Sequence, residues 1–170
     1  MKFIHTSDWH IGRQFHNVSL LEDQRHVPNQ IVAYIEHESV DALVIAGDIY
    51  DRSVPSAAAV DMLDEFINRI CADINVPVIM IPGNHDGAER LRFGSRQLQS
   101  AGLHILGDVT NIDQPVVLSG DAGNVAFYGI PYNDPETVRN LFANDVASYD
   151  EAHTFLVERI KAKRERGQQS

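Results

Sequence analysis

Short apolar runs alternate along the chain with longer stretches whose apolar residues recur every three or four positions. The runs are residues 2–6, 43–46 and 78–81. Each ends in turn-forming residues, as expected of strands covered on both faces. Between the first two, Ile31, Tyr34, Ile35 and Glu38 fall at helical spacing, with Pro28 in the first turn or at a kink. Between the second and third, Val60, Leu63, Phe66, Ile67 and Ile70 form an apolar stripe, and Ser56 is placed to cap it after Pro55. Strand–helix–strand–helix–strand order predicts a parallel sheet, whose ligands gather beyond the carboxyl ends of its strands.

Further along, residues 89–100 read as one helix stopped by Gly102, and residues 105–106, 116–118 and 125–128 as short strands. Residues 120–124 have hairpin-turn composition. Helical pattern returns over 135–142 and 150–164, where Ala152, Phe155, Leu156 and Ile160 share a face. Residues 167–170 are expected to fray. There is no internal repeat or low-complexity linker, and 170 residues suit one domain with a proper core.

Each strand is followed at once by a polar run: Asp8-Trp9-His10, then Gly47-Asp48-Ile49-Tyr50-Asp51, then Gly83-Asn84-His85-Asp86. At one sheet edge these offer carboxylates, imidazoles and an amide oxygen, a donor set that suits Mn²⁺, Fe²⁺ or Zn²⁺ better than Ca²⁺. In an extended segment Asp8 and His10 would point to the same side and reach one metal. Asp48, after Gly47, has two oxygens and can bridge cations about 3.5–4 Å apart, as two-metal phosphoesterase sites require. Asn84 can offer its carbonyl oxygen, and His85 is placed to face the substrate and protonate a leaving oxygen. Any one of these runs alone reads as an ordinary polar turn. Their joint occurrence, each after a strand, favours a metal site.

The formal net charge of −10 excludes a generally basic nucleic-acid surface. It does not exclude a nuclease, because metal ions can supply the positive field where phosphate binds. Five of the 14 basic residues (Arg159, Lys161, Lys163, Arg164 and Arg166) cluster in the last predicted helix, where a solvated helix end explains them. The lone Cys71 and the lack of a signal-peptide or membrane-length apolar run fit a cytoplasmic protein.

The three runs resemble the opening signature of the calcineurin-like metallophosphoesterase superfamily: Asp-x-His, Gly-Asp-x-x-Asp, Gly-Asn-His-Asp. With residues 5–13, 46–52 and 90–95 they resemble in particular that superfamily's nuclease subunits of bacterial double-strand-break repair complexes, from Met1 to about residue 131. The resemblance implies an α/β metallophosphoesterase sandwich of mixed sheets flanked by helices. It implies metal ligands at Asp8, His10, Asp48 (bridging) and Asn84, a catalytic His85, and Asp51 and Asp86 as supporting carboxylates. It further implies Mn²⁺ as cofactor, two per complete site, with DNA as substrate, an ATPase subunit as partner and a homodimer within a larger complex. Arg13, His16, Arg90 and Arg92 are candidate DNA contacts; Arg96 shares the predicted helix of Arg90 and Arg92, and a solvated face explains that helix equally well. Trp9 is expected to pack against the sheet edge.

The family pattern continues through two further histidine motifs, ending in Gly-His-x-His, which this sequence lacks. His104 and His153 read as structural and helix-surface residues, and His16, His26 and His37 as surface residues. The expectation is a domain over 1–170 that stops before its last metal motifs, holds one metal weakly and a second poorly, and by itself shows little nuclease activity. Two alternatives stay open: a phosphoesterase of nucleotides or small phosphodiesters, and a catalytically silent dimerisation or docking fragment.

Overall fold

A computed structural model describes residues 1–120 and 123–167. Strand β1 (Phe3–Thr6) runs into a loop and a small hairpin, β2 (Gln14–Phe15) and β3 (Val18–Ser19). Helices α1 (Leu21–Gln24) and α2 (His26–Glu38) return the chain to β4 (Ala42–Ala46). Helix α3 (Ala57–Asn68) ends in a π-helical turn over Arg69–Asp73 and feeds β5 (Val78–Ile81). Two single-turn helices, α4 (Ala88–Leu91) and α5 (Ser95–Leu98), precede β6 (Leu103–Ile105). A second hairpin, β7 (Val116–Gly120) and β8 (Gly123–Phe127), leads to α6 (Pro135–Phe142) and α7 (Tyr149–Gly167).

Strands β1, β4, β5 and β6 form one parallel sheet in the order β1-β4-β5-β6, with Ile4 opposite Leu43 and Leu43 opposite Val78. The two central strands are apolar throughout because both faces are covered. Leu43, Ile45, Val78 and Met80 are buried with Val32 and Ile35 of α2 and Leu63 and Phe66 of α3 in one core. Ser56 caps α3 as expected, accepting the Ala59 amide at 3.3 Å.

Two expectations need correction. Strand β1 is not covered on both faces: it lies at the edge of the sheet, and Phe3 is 49% exposed, touching Phe127 of β8 edge-on. Residues 89–100 are not one helix. Gly94 adopts a left-handed φ of 72°, which separates α4 from α5, so Arg90 and Arg92 are divided from Arg96 by a turn. The hairpin turn expected over 120–124 falls partly on residues 121 and 122, outside the described residues, as do 168–170 of the expected frayed tail. Gly120 and Gly123 nonetheless pair across the β7–β8 ladder.

A smaller core joins α6 and α7 to the 3₁₀ turn at Val109–Asn111 through Val109, Ile112, Val138, Ala152 and Leu156. Ala152, Phe155, Leu156 and Ile160 all face it, as the spacing predicts. Asp134 caps α6, accepting from the Thr137 amide at 2.8 Å and the Thr137 hydroxyl at 2.9 Å, with Pro135 in the first turn. The Thr137 amide, and next its hydroxyl, hold this carboxyl below the usual carboxylate range. Its contribution is therefore present above the ordinary carboxylate pKa and lost as pH falls through the lowered value. Thermal melts from pH 7 down to pH 2 should show wild type losing stability relative to Asp134→Asn, and parallel curves would contradict this.

Candidate metal centre

The three polar runs leave β1, β4 and β5 at the same edge of the sheet, and the first two stay paired beyond their strands. The Asp8 amide donates to the Gly47 carbonyl at 3.1 Å, the His10 amide to that of Asp48 at 2.9 Å and the Ile11 amide to that of Ile49 at 2.9 Å; the Asp51 amide donates back to Ile11 at 3.1 Å. Within this ladder Asp8 (φ 59°), His10 (φ 46°) and Asp48 (φ 50°) are left-handed. Asp8 and His10 therefore reach one point by two left-handed kinks and not by an extended segment. Such conformations cost on the order of 1–3 kcal/mol each and persist only where neighbours enforce them. The four backbone bonds supply that enforcement.

Two glycines bring the β4 and β5 loops together. Gly47 (φ 92°) lies so close that a Cβ on it would meet the Gly83 Cα at 3.2 Å. A Cβ on Gly83 would overlap the Oδ1 atom, the amide nitrogen and Cγ of Asp48. Asp86 stitches the two loops from behind. Its carboxylate accepts from the amides of Gly83 (2.8 Å), Ile49 (3.1 Å) and Tyr50 (2.9 Å). Asp86 thus braces the backbone that carries Asp48.

His10 sits at the centre. Its Nε2 lies 3.9 Å from Asp8 Oδ1 and 3.8 Å from Asp48 Oδ2, and its Nδ1 lies 3.7 Å from Asp51 Oδ1. These are too long for hydrogen bonds, and the buried Nδ1 has no hydrogen-bond partner. They are the right span for donors sharing an ion, because two ligands about 2.1 Å from one metal lie about 3–4 Å apart. Asp8, His10 and Asp48 form one group able to hold a metal, and His10, Asp51 and His85 a second. His10 is the residue common to both. The donors present therefore fit a divalent cation.

Asn84 is exposed on the loop whose following amide, that of His85, donates to Asp48 Oδ1 at 3.1 Å. His85 Nδ1 lies 3.0 Å from the Asp51 carbonyl, which can only accept, so Nδ1 carries the proton and Nε2 is left to exchange one. That bond first, and then the carboxylates of Asp48, Asp51 and Asp86, raise the His85 pKa above its ordinary value. A raised pKa suits a group that must arrive protonated at a leaving oxygen. Its ring meets His10 edge-on at 4.8 Å.

Among the candidate DNA contacts, Arg13 and His16 are exposed at the β2–β3 hairpin. Arg90 donates to the Ser53 carbonyl at 3.3 Å, and Arg92 pairs with Asp108 at 3.1 Å. Trp9 packs edge-on against Phe66 at 4.9 Å and donates to the Thr6 hydroxyl at 3.0 Å. His104 lies in β6 and is half-buried, while His153, His26 and His37 are exposed on helices.

The sequence profile of the calcineurin-like phosphoesterase family matches residues 1–158. The SbcD component of the SbcCD nuclease of Staphylococcus epidermidis (strain ATCC 12228 / FDA PCI 1200) is 39% identical over 163 residues. That alignment takes in 95% of this chain and 42% of the relative, so the chain spans less than half of that protein's length. By sequence profile and by an edge of the sheet that gathers Asp8, His10, Asp48 and His85, the chain belongs to the calcineurin-like phosphoesterase family.

Proposed function

We propose that these residues form part of the metal site of a DNA phosphodiester hydrolase acting in double-strand-break repair, recombination and replication. The observation that carries this reading is the meeting of Asp8, His10 and Asp48 at one point with His85 beside them. A bound divalent cation, Mn²⁺ in this reading, would neutralise phosphate charge and activate water. Asp8, His10, Asp48 and Asn84 would hold it, with Asp48 the candidate bridge to a second cation. His85, its Nδ1–H fixed on the Asp51 carbonyl, delivers a proton from Nε2 to the departing oxygen. Asp86 keeps the loops in place.

The choice of DNA over a small diester is supported by the similarity to a nuclease component. The same similarity supports an SbcC-type ATPase partner in the cytoplasm; no helix among the described residues is long and apolar enough to cross a membrane. Homodimerisation is supported by apolar side chains left in solvent, such as Phe93 at 87% and Val54 at 61% exposure. The purified chain is expected to hydrolyse duplex DNA ends slowly in Mn²⁺, faster than a small phosphodiester, and to lose that activity in His85→Ala. Preference for the small diester would favour the nucleotide-phosphoesterase alternative. No Mn²⁺-dependent turnover on any substrate would favour the docking role.

A further inference from the structure

The loop that carries Asp8 and His10 turns left-handed three times, at Asp8, His10 and Gly12. Backbone bonds to the β4 loop hold its outer side. Its inner side is held by one side chain, that of Gln24 at the end of α1. The Gln24 amide nitrogen donates to the Trp9 carbonyl at 3.1 Å and to the His10 carbonyl at 2.8 Å, and its oxygen accepts the Gly12 amide at 3.0 Å. The Gln24 backbone is itself fixed by its amide, which donates to the Leu20 carbonyl at 2.8 Å, and the Leu20 amide donates to the Arg13 carbonyl at 3.0 Å. A single partly buried side chain outside the metal-ligand set thus bonds three backbone groups around His10; of these, the His10 carbonyl also accepts the Arg13 amide at 3.1 Å.

We propose that Gln24 is the positioning residue of the metal centre, setting the backbone angle from which His10 presents its imidazole. This rests on the metal-binding reading of Asp8, His10 and Asp48. The residue type is specific to the task. A primary amide offers two donors and an acceptor in one plane, matching two carbonyls and one N–H. Glutamate keeps the acceptor for Gly12 but sets a carboxylate oxygen against the Trp9 and His10 carbonyls. Methionine keeps the length and loses all three bonds. In either variant the strained loop relaxes, and His10 moves off the point it shares with Asp8 and Asp48. Groups that orient a metal ligand in this way are worth about 10- to 100-fold in metal affinity when removed.

The test is calorimetric titration of the full chain with Mn²⁺, together with amide hydrogen exchange at His10 and Ile11 in the metal-free protein. Gln24→Met and Gln24→Glu are compared with Leu156→Val, which trims the remote α6–α7 core. Both Gln24 variants should bind Mn²⁺ at least about tenfold more weakly and exchange His10 and Ile11 amides faster. Leu156→Val should change neither. Unchanged affinity in a folded Gln24→Met protein would overturn the proposal while leaving the metal reading intact. If wild type takes up no Mn²⁺, the metal reading fails, and unaltered exchange at His10 and Ile11 would then reject a positioning role as well.

Discussion

Asp48→Asn is expected to weaken Mn²⁺ binding by more than about 100-fold, beyond the 10- to 100-fold that loss of an outer partner costs. Asparagine preserves shape, and its carbonyl oxygen can still accept the His85 amide that Asp48 Oδ1 takes at 3.1 Å. What disappears is the charge on the oxygen facing His10 Nε2 at 3.8 Å. The same charge is a burden in the metal-free protein, where Asp8, Asp51 and Asp86 crowd the same edge and like charges repel. The metal-free variant should therefore melt at or above the wild-type temperature while its affinity collapses. Calorimetric titration and thermal melting of the same samples read both effects. A variant that loses stability and affinity together would make Asp48 a structural residue first.

Gly83→Ala is expected to damage the site without replacing a ligand. The added methyl would overlap the carboxylate and amide nitrogen of Asp48, and the backbone has little room to retreat because Gly47 already lies against it. Overpacking of this kind costs about 1–3 kcal/mol. Here the movement must also turn the Asp48 carboxylate or break the hydrogen bond that the Gly83 amide donates to the Asp86 carboxylate at 2.8 Å. Urea unfolding should show the stability loss, and Mn²⁺ titration should show weakening of the order expected for Asp48→Asn. Lowered stability with intact Mn²⁺ affinity would mean that the β5 loop yields away from Asp48.

Much of this is legible in the sequence because strands buried on both faces have a plain signature. Residues 43–46 and 78–81 match β4 and β5 almost to the residue, and the apolar stripe over Leu63, Phe66 and Ile70 lies in the core. The position of β1 is equally plain, but its exposed Phe3 is not, since an apolar run does not reveal whether a strand lies at a sheet edge. The break at Gly94 is hidden because a single glycine within a helical pattern is commonly tolerated. The ligand types can be read from order and spacing, whereas their geometry cannot. Left-handed angles at Asp8, His10 and Asp48 are imposed by pairing between two distant loops. Gln24 carries no local signal at all, because its three partners lie 12 to 15 residues earlier in the chain.

The most direct measurement is anomalous diffraction at the manganese edge from crystals of this chain soaked in Mn²⁺. A peak bounded by His10 Nε2, the Asp8 and Asp48 carboxylates and the Asn84 side-chain oxygen is the predicted result. A peak away from all four, or none at Mn²⁺ concentrations that saturate the chain in solution, would contradict the account.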